Sequence, residues 1–148
     1  MRTNGIQLVR KALILTTSYV PGDGVGAEND VNIGGANQLV LFLNVTKGSL
    51  TSLELKIEFK IAGYGLFQEL AASVSAGTAT LTPLEYTLKA STLGAESKVY
   101  LAVPVLGDTA RIHAKGTGTV TSSELAVFAA VGVSCAPVDE RLTHRRKT

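Results

Sequence analysis

Apolar and polar positions alternate with a period of two through much of this chain, most clearly over 53–61. There Leu53, Leu55, Ile57, Phe59 and Ile61 alternate with Glu54, Lys56, Glu58 and Lys60. Successive side chains of an extended strand point to opposite faces, so this spacing puts every apolar group on one side and every charge on the other. A helix would scatter both sets around its circumference. Opposite charges two apart on the wet face are also placed to pair along the strand or across to a neighbour. Leu84, Tyr86 and Leu88 alternate in the same way with Glu85, Thr87 and Lys89, and Ala110, Ile112 and Ala114 with Arg111, His113 and Lys115. Val99, Leu101 and Val103 share one face of a strand that Pro104 ends or confines to an edge. Leu125, Val127, Ala129 and Val131 form one face of a last strand. Residues 39–45 are almost continuously apolar, the pattern of a strand covered on both faces. Weaker strand patterns lie at 12–19 and 67–74.

Turn residues separate these runs. Lys47, Gly48 and Ser49 join two strong strands as a hairpin or a short arch, and further breaks fall at 62–65, 76–77, 107–108 and 116–118. Many short strands without an amphipathic helix predict an all-β fold. The expected form is a single-domain antiparallel β-sandwich, of jelly-roll or another Greek-key type. The strand order is not readable from the pattern. Three segments depart from it: an N-terminal arm at 1–10, a Gly-rich loop at 21–36 within the sandwich domain 11–136, and a basic C-terminal tail at 137–148.

Composition narrows the class. The 148 residues suit one domain with one sizeable core, and 45% hydrophobic against 18% charged residues is too apolar for disorder. A net charge of +2 does not by itself imply nucleic acid or a membrane surface as partner. Cys135 is the single cysteine, so no intrachain disulfide forms, and a reducing cytoplasm is the expected place of synthesis. The apolar stretch 12–15 behind Arg10 and Lys11 is shorter than the roughly 7–15 residues of a secretory core. The run 125–133 is far short of the roughly 20 residues of a membrane helix and reads as a buried strand.

The chemistry-bearing residues are few. Residues 22–26 (GDGVG) resemble a phosphate-binding glycine loop, but no helix pattern follows to face an anion. Asp23, Glu28, Asn29 and Asp30 offer oxygen ligands without the spacing of an EF-hand, so the expectation is a solvated acidic loop and no cofactor. Asn44-Val45-Thr46 fits a glycosylation acceptor, which has no meaning without secretion. One cysteine with His113 and His144 does not make a tetrahedral zinc site. No Gly-x-Ser-x-Gly elbow appears, and the carboxylates Glu54, Glu58, Glu69 and Glu85 read as strand-face charges rather than a glycosidase pair. Without Trp, and with Tyr19, Tyr64, Tyr86 and Tyr100 dispersed, a sugar-binding platform is not evident. The candidate partner-binding groups are the stripe Arg111, His113 and Lys115, the tail residues Arg141, Arg145 and Arg146, and the loop acids Asp23, Glu28 and Asp30. Each also has a plain reading as a solvated face, a solubilising terminus or a loop.

Three stretches resemble small phage and prophage virion proteins: 35–59 (GANQLVLFLNVTKGSLTSLELKIEF), 79–87 (ATLTPLEYT) and 111–125 (RIHAKGTGTVTSSEL). Together they span about 34–132. Within that group the chain is most similar to the capsid decoration (cement or auxiliary) proteins of tailed phages. The resemblance implies a non-enzymatic virion structural protein on the capsid surface, made in the bacterial host cytoplasm. It also implies binding to the major capsid protein and to copies of itself, as a trimer, with neither nucleic acid nor membrane as partner. In that setting the N-terminal arm, the 21–36 loop and the C-terminal tail are the segments expected to reach neighbouring subunits, and avidity would multiply weak contacts. The alternative is a fibre, tail or host-attachment protein that binds a receptor or glycan.

Overall fold

A computed structural model describes residues 2–24, 29–60, 67–68, 72–76, 78–81 and 84–133. Their strands are β1 (Arg2–Ile14), β2 (Val20–Pro21), β3 (Val31–Asn32), β4 (Gln38–Thr46), β5 (Leu50–Lys60), β6 (Phe67–Gln68), β7 (Ala72–Ser75), β8 (Thr78–Leu81), β9 (Leu84–Lys89), β10 (Glu96–Val103), β11 (Thr109–Gly118) and β12 (Glu124–Val133). Sheet A has the order β1-β12-β4-β10, and sheet B the order β2-β11-β5-β6, with β3 also on β11 and β9 on β5. All pairings are antiparallel. Among the described residues β7 and β8 pair only with each other.

With β2 and β3 counted as one interrupted strand, and the short β6–β8 insertion set aside, eight strands build the two sheets. They pair first with last (β1·β12), second with seventh (β2/β3·β11), third with sixth (β4·β10) and fourth with fifth (β5·β9). This nested pairing across two sheets is a jelly roll, one of the two forms of sandwich expected from the pattern.

The sheets enclose one core. Leu39, Leu41, Leu43 and Val45 from β4 and Leu125, Val127 and Ala129 from β12 meet Leu53, Leu55, Ile57 and Phe59 from β5 and Ala110, Ile112 and Ala114 from β11. Leu41, Leu43, Leu53, Leu55, Ile57 and Phe59 are fully buried. The turn at Lys47–Ser49 is an arch between the sheets, since β4 lies in sheet A and β5 in sheet B. Gly48 there has φ +54°, and a Cβ on it would collide with Ser122. Ser123, fully buried, donates through Oγ to the Lys47 carbonyl at 2.6 Å and fixes the arch to the approach of β12.

Three sequence expectations change in position. From residue 2 onward the N-terminal arm is an edge strand, because β1 pairs with β12 from Arg2↔Val133 to Ile14↔Glu124. The weak pattern at 12–19 therefore ends as a strand at Ile14. Register shifts at three points along β1 interrupt its alternation, which hides it from a period-two reading. The strand 39–45 is buried on its inner face only. Its outward residues Val40 and Phe42 are partly exposed and Asn44 is exposed. The tail 137–148 lies outside the described residues.

One buried charge anchors β1. Arg10 is 4% exposed, and its guanidinium donates to four carbonyls: Leu125 (3.1 Å), Gly22 (3.1 Å), Leu13 (3.2 Å) and Ile14 (3.1 Å). Burial lowers its pKa and Asp23 opposes that shift. Asp23 in turn accepts from the Lys11 backbone N–H at 2.8 Å, so the start of the Gly-rich loop is tied to the bulged part of β1.

Candidate functional site

The outward face of sheet B carries the alternating charges. Register sets Arg111 opposite Glu58, His113 opposite Lys56 and Lys115 opposite Glu54. The basic stripe expected from the sequence is therefore real as a row, but each member has an acid beside it. Lys115 Nζ lies 3.1 Å from Glu54. Arg111 grips Asp30 with two hydrogen bonds, Nε to Oδ1 at 2.9 Å and Nη2 to Oδ2 at 3.0 Å. That Asp30 bond is the first cause of the raised Arg111 pKa. Lys56 Nζ is 3.4 Å from Glu58. Tyr19 lies against this face with Lys115 Nζ 4.7 Å and Lys56 Nζ 5.1 Å from its ring centroid, a double cation–π contact. Burial, then Glu85 and Glu54, raise the Tyr19 pKa.

His113 sits at the centre of the row. Its Nε2 is 3.0 Å from Glu58 Oε1 but forms no hydrogen bond, so the contact is Coulombic and poorly aligned. Burial pushes its pKa below the ordinary histidine value. Glu58 and Asp30 pull it up, while Lys56 and Arg111 push it down.

Two of the three loop acids are thus engaged inside the molecule, Asp23 with β1 and Asp30 with Arg111. Glu28, Arg141, Arg145 and Arg146 lie outside the described residues, as do His144, Cys135 and Glu69. Among the described residues no group of three or more His, Cys, Asp or Glu is placed to hold a metal ion.

The outward face of sheet A differs in kind. Register aligns Leu8, Phe128, Phe42 and Tyr100 in one row across all four strands. The neighbouring row is Ile6, Ala130, Val40 and Ala102. Ile6 is 67% exposed and Tyr100 71%, so these are large apolar groups presented to solvent. Leu8 and Ile14 on β1 are exposed as well. The Phe42 and Tyr100 rings meet edge-to-face, with centroids 5.1 Å apart and planes at 88°. Ile6, Phe42, Tyr100 and Phe128 line a groove of about 290 Å³. Polar groups collect at one end of the face: Ala126, Asn44 and Lys98 form the next row, and Glu124, Thr46 and Glu96 the last.

The sequence reading missed this face as a site. The signal was present in the unbroken apolar runs of β4 and β12, the two central strands of sheet A. Such runs imply cover on both faces, and in one chain only the inner face has it.

No protein-family model matches the chain, and no curated protein does. Among solved structures it is similar to a carbohydrate-binding module from the lichenase 5A of Cellvibrio mixtus, solved in complex with cellotriose. That likeness has 11% identity and a TM-score of 0.43, over 90% of this chain and 91% of the other.

Proposed function

We propose that this chain is a structural protein that acts by surface binding and not by catalysis, and that its setting is a virion. There it decorates the outer surface of the major capsid lattice and stabilises the head. The observation that carries the binding role is the outward face of sheet A, an apolar surface in which Ile6, Leu8 and Tyr100 are exposed and Phe42 and Phe128 partly so. Contiguous apolar patches of this kind mark association surfaces on soluble proteins. The virion setting rests on the resemblance of 35–59, 79–87 and 111–125 to decoration proteins. Synthesis in the bacterial host cytoplasm and location on the capsid surface belong to the same reading.

The test is co-sedimentation of the purified protein with expanded capsids that lack it. Saturable pelleting at a fixed ratio to the major capsid protein is the expected result. Protein that stays wholly in the supernatant removes the decoration reading. A second reading, a fibre or host-attachment protein that binds a glycan, draws on Tyr100 standing exposed beside Asn44 and Lys98. A glycan array with wild type and Tyr100→Ala separates it, since stacking on the ring would be lost in the variant.

A further inference from the structure

We infer that the outward face of sheet A is covered by the same face of a second copy of this chain, the two sheets stacking about a two-fold axis. This rests on the reading above that the face is a binding surface, and adds the identity of what binds there.

Three observations select this occupant. The first is the patterning of β4 and β12. The central outward positions Val40, Phe42, Ala126, Phe128 and Ala130 are all apolar, as in strands covered on both sides, with Gln38 beyond them at one end and Asn44, Thr46 and Glu124 at the other. A partner of matching chemistry must itself be a flat apolar face. Among the described residues the other sheet's outward face is filled with ion pairs and does not qualify.

The second is size. Strands about 4.8 Å apart, with same-face residues about 6.8 Å apart along each, give the four-strand face a footprint of about 500 Å² on each copy. Two copies then bury about 1,000 Å² in total, the lower bound for a specific interface.

The third is where the charges lie. A two-fold axis running across the strands at the Phe42 row sets each residue of that row over its own counterpart, with the strands of the two copies antiparallel. The Asn44 row then lies over the Val40 row. Glu96 and Glu124 of one copy come to the opposite rim from those of the other, so like charges do not meet. The result is an apolar centre with a polar rim, the usual anatomy of an interface. Register places Tyr100 near its own counterpart across that axis.

The experiment is sedimentation velocity on the full chain over a concentration series, with three variants. Wild type is expected to approach twice the 15.4 kDa chain mass at micromolar concentration. Ile6→Glu with Tyr100→Glu, both at exposed positions, is expected to weaken self-association about a hundredfold with an unchanged circular dichroism spectrum. Thr87→Lys, on the outward face of sheet B, is expected to leave the mass unaltered. Tyr100→Cys in a Cys135→Ser background supplies a readout that needs no loss of stability. Stacked sheets lie about 10 Å apart, so a short bismaleimide is expected to join two copies through residue 100. Wild type that stays at 15.4 kDa, a mass unmoved by the double variant, a three-chain mass, or no cross-link overturns the proposal. The three-chain result would instead favour the trimer implied by the resemblance. Capsid pelleting is scored separately. A pair that does not pellet keeps this interface and loses the virion setting, whereas a monomer that pellets does the reverse.

Discussion

The outward faces of sheets A and B use strands of similar length and the same pleat, yet they handle solvent in opposite ways. On sheet B, Glu54, Lys56, Glu58, Arg111, His113 and Lys115 neutralise one another within the face, with Asp30 added from the preceding loop. On sheet A the equivalent central positions are Val40, Phe42, Phe128 and Ala130, and the charges of Lys98, Glu96 and Glu124 gather toward one end. A row of basic residues is therefore not in itself a docking surface. Its free charge depends on what stands beside it, and here Glu54 and Glu58 of β5 and Asp30 of the preceding loop set an acid next to each member. The less conspicuous apolar runs leave a face with unmet contacts. Surface that is already satisfied is stable, and surface that is not is available for binding.

The comparison breaks first where sheet A is held together. Arg10→Met removes the donor from four carbonyls and is expected to destabilise the fold by about 3 kcal/mol, since each buried acceptor left without a donor costs about 1–3 kcal/mol before relaxation. Chemical denaturation measures the loss, and hydrogen exchange along β1 locates it. A change under 1 kcal/mol would mean that the guanidinium is readily replaced by solvent. Next comes the two-pronged ion pair of Arg111 with Asp30. Arg111→Met leaves the Asp30 carboxylate, mostly shielded, without its two donors and is expected to cost about 1–2 kcal/mol. An effect no larger than that of Lys115→Met would show that all pairs on this face are equivalent.

Acid sharpens the contrast without a mutation. His113 has its folded-state pKa below the unfolded value near 6.5, so it contributes stability that is fully present above pH 6.5. That contribution falls as pH drops from 6.5 toward the folded pKa, and levels off below it. Melting temperatures of wild type are expected to decline through this window more steeply than those of His113→Gln, while self-association through sheet A stays unchanged. Parallel curves for the two proteins would assign the acid response to other groups. The smallest effect is that of Lys115→Met, within about 0.5 kcal/mol, because a single contact of two partly exposed side chains gains little over water. Raising salt to about 1 M, where screening reaches only about 3 Å, is expected to shrink even that difference and to leave or strengthen the association through sheet A.

The alternating strands were legible because each has one wet and one dry face. Of the alternation at 53–61, residues 53–60 fall within β5 and Ile61 lies outside the described residues; 84–89, 110–115 and 99–103 fall within β9, β11 and β10, with their apolar members inward. The sandwich class followed from their number. Order and register did not, since they depend on partners far away in sequence, and the arch at Lys47–Ser49 reads locally the same as a hairpin. β1 was set apart as an arm for a specific reason: register shifts break its alternation, and Arg10 turns inward where a polar residue would be expected outward. The basic stripe was found but its neutralisation was not, because Glu54 and Glu58 reach it from another strand and Asp30 from a loop.

The pairing of β1 with β12 has a consequence in time rather than in space. Residues 2–14 are made before the strand against which they belong, and nearly the whole domain must be made before that strand emerges. Until then Ile6, Leu8 and Ile14 belong to a segment that lacks its ladder partner. Closure of the jelly roll is therefore the final event that synthesis permits, and it joins the most distant parts of the chain. Folds dominated by such distant contacts form in milliseconds to seconds rather than microseconds. During that interval the nascent N-terminus is the segment most exposed to pairing with a neighbouring chain.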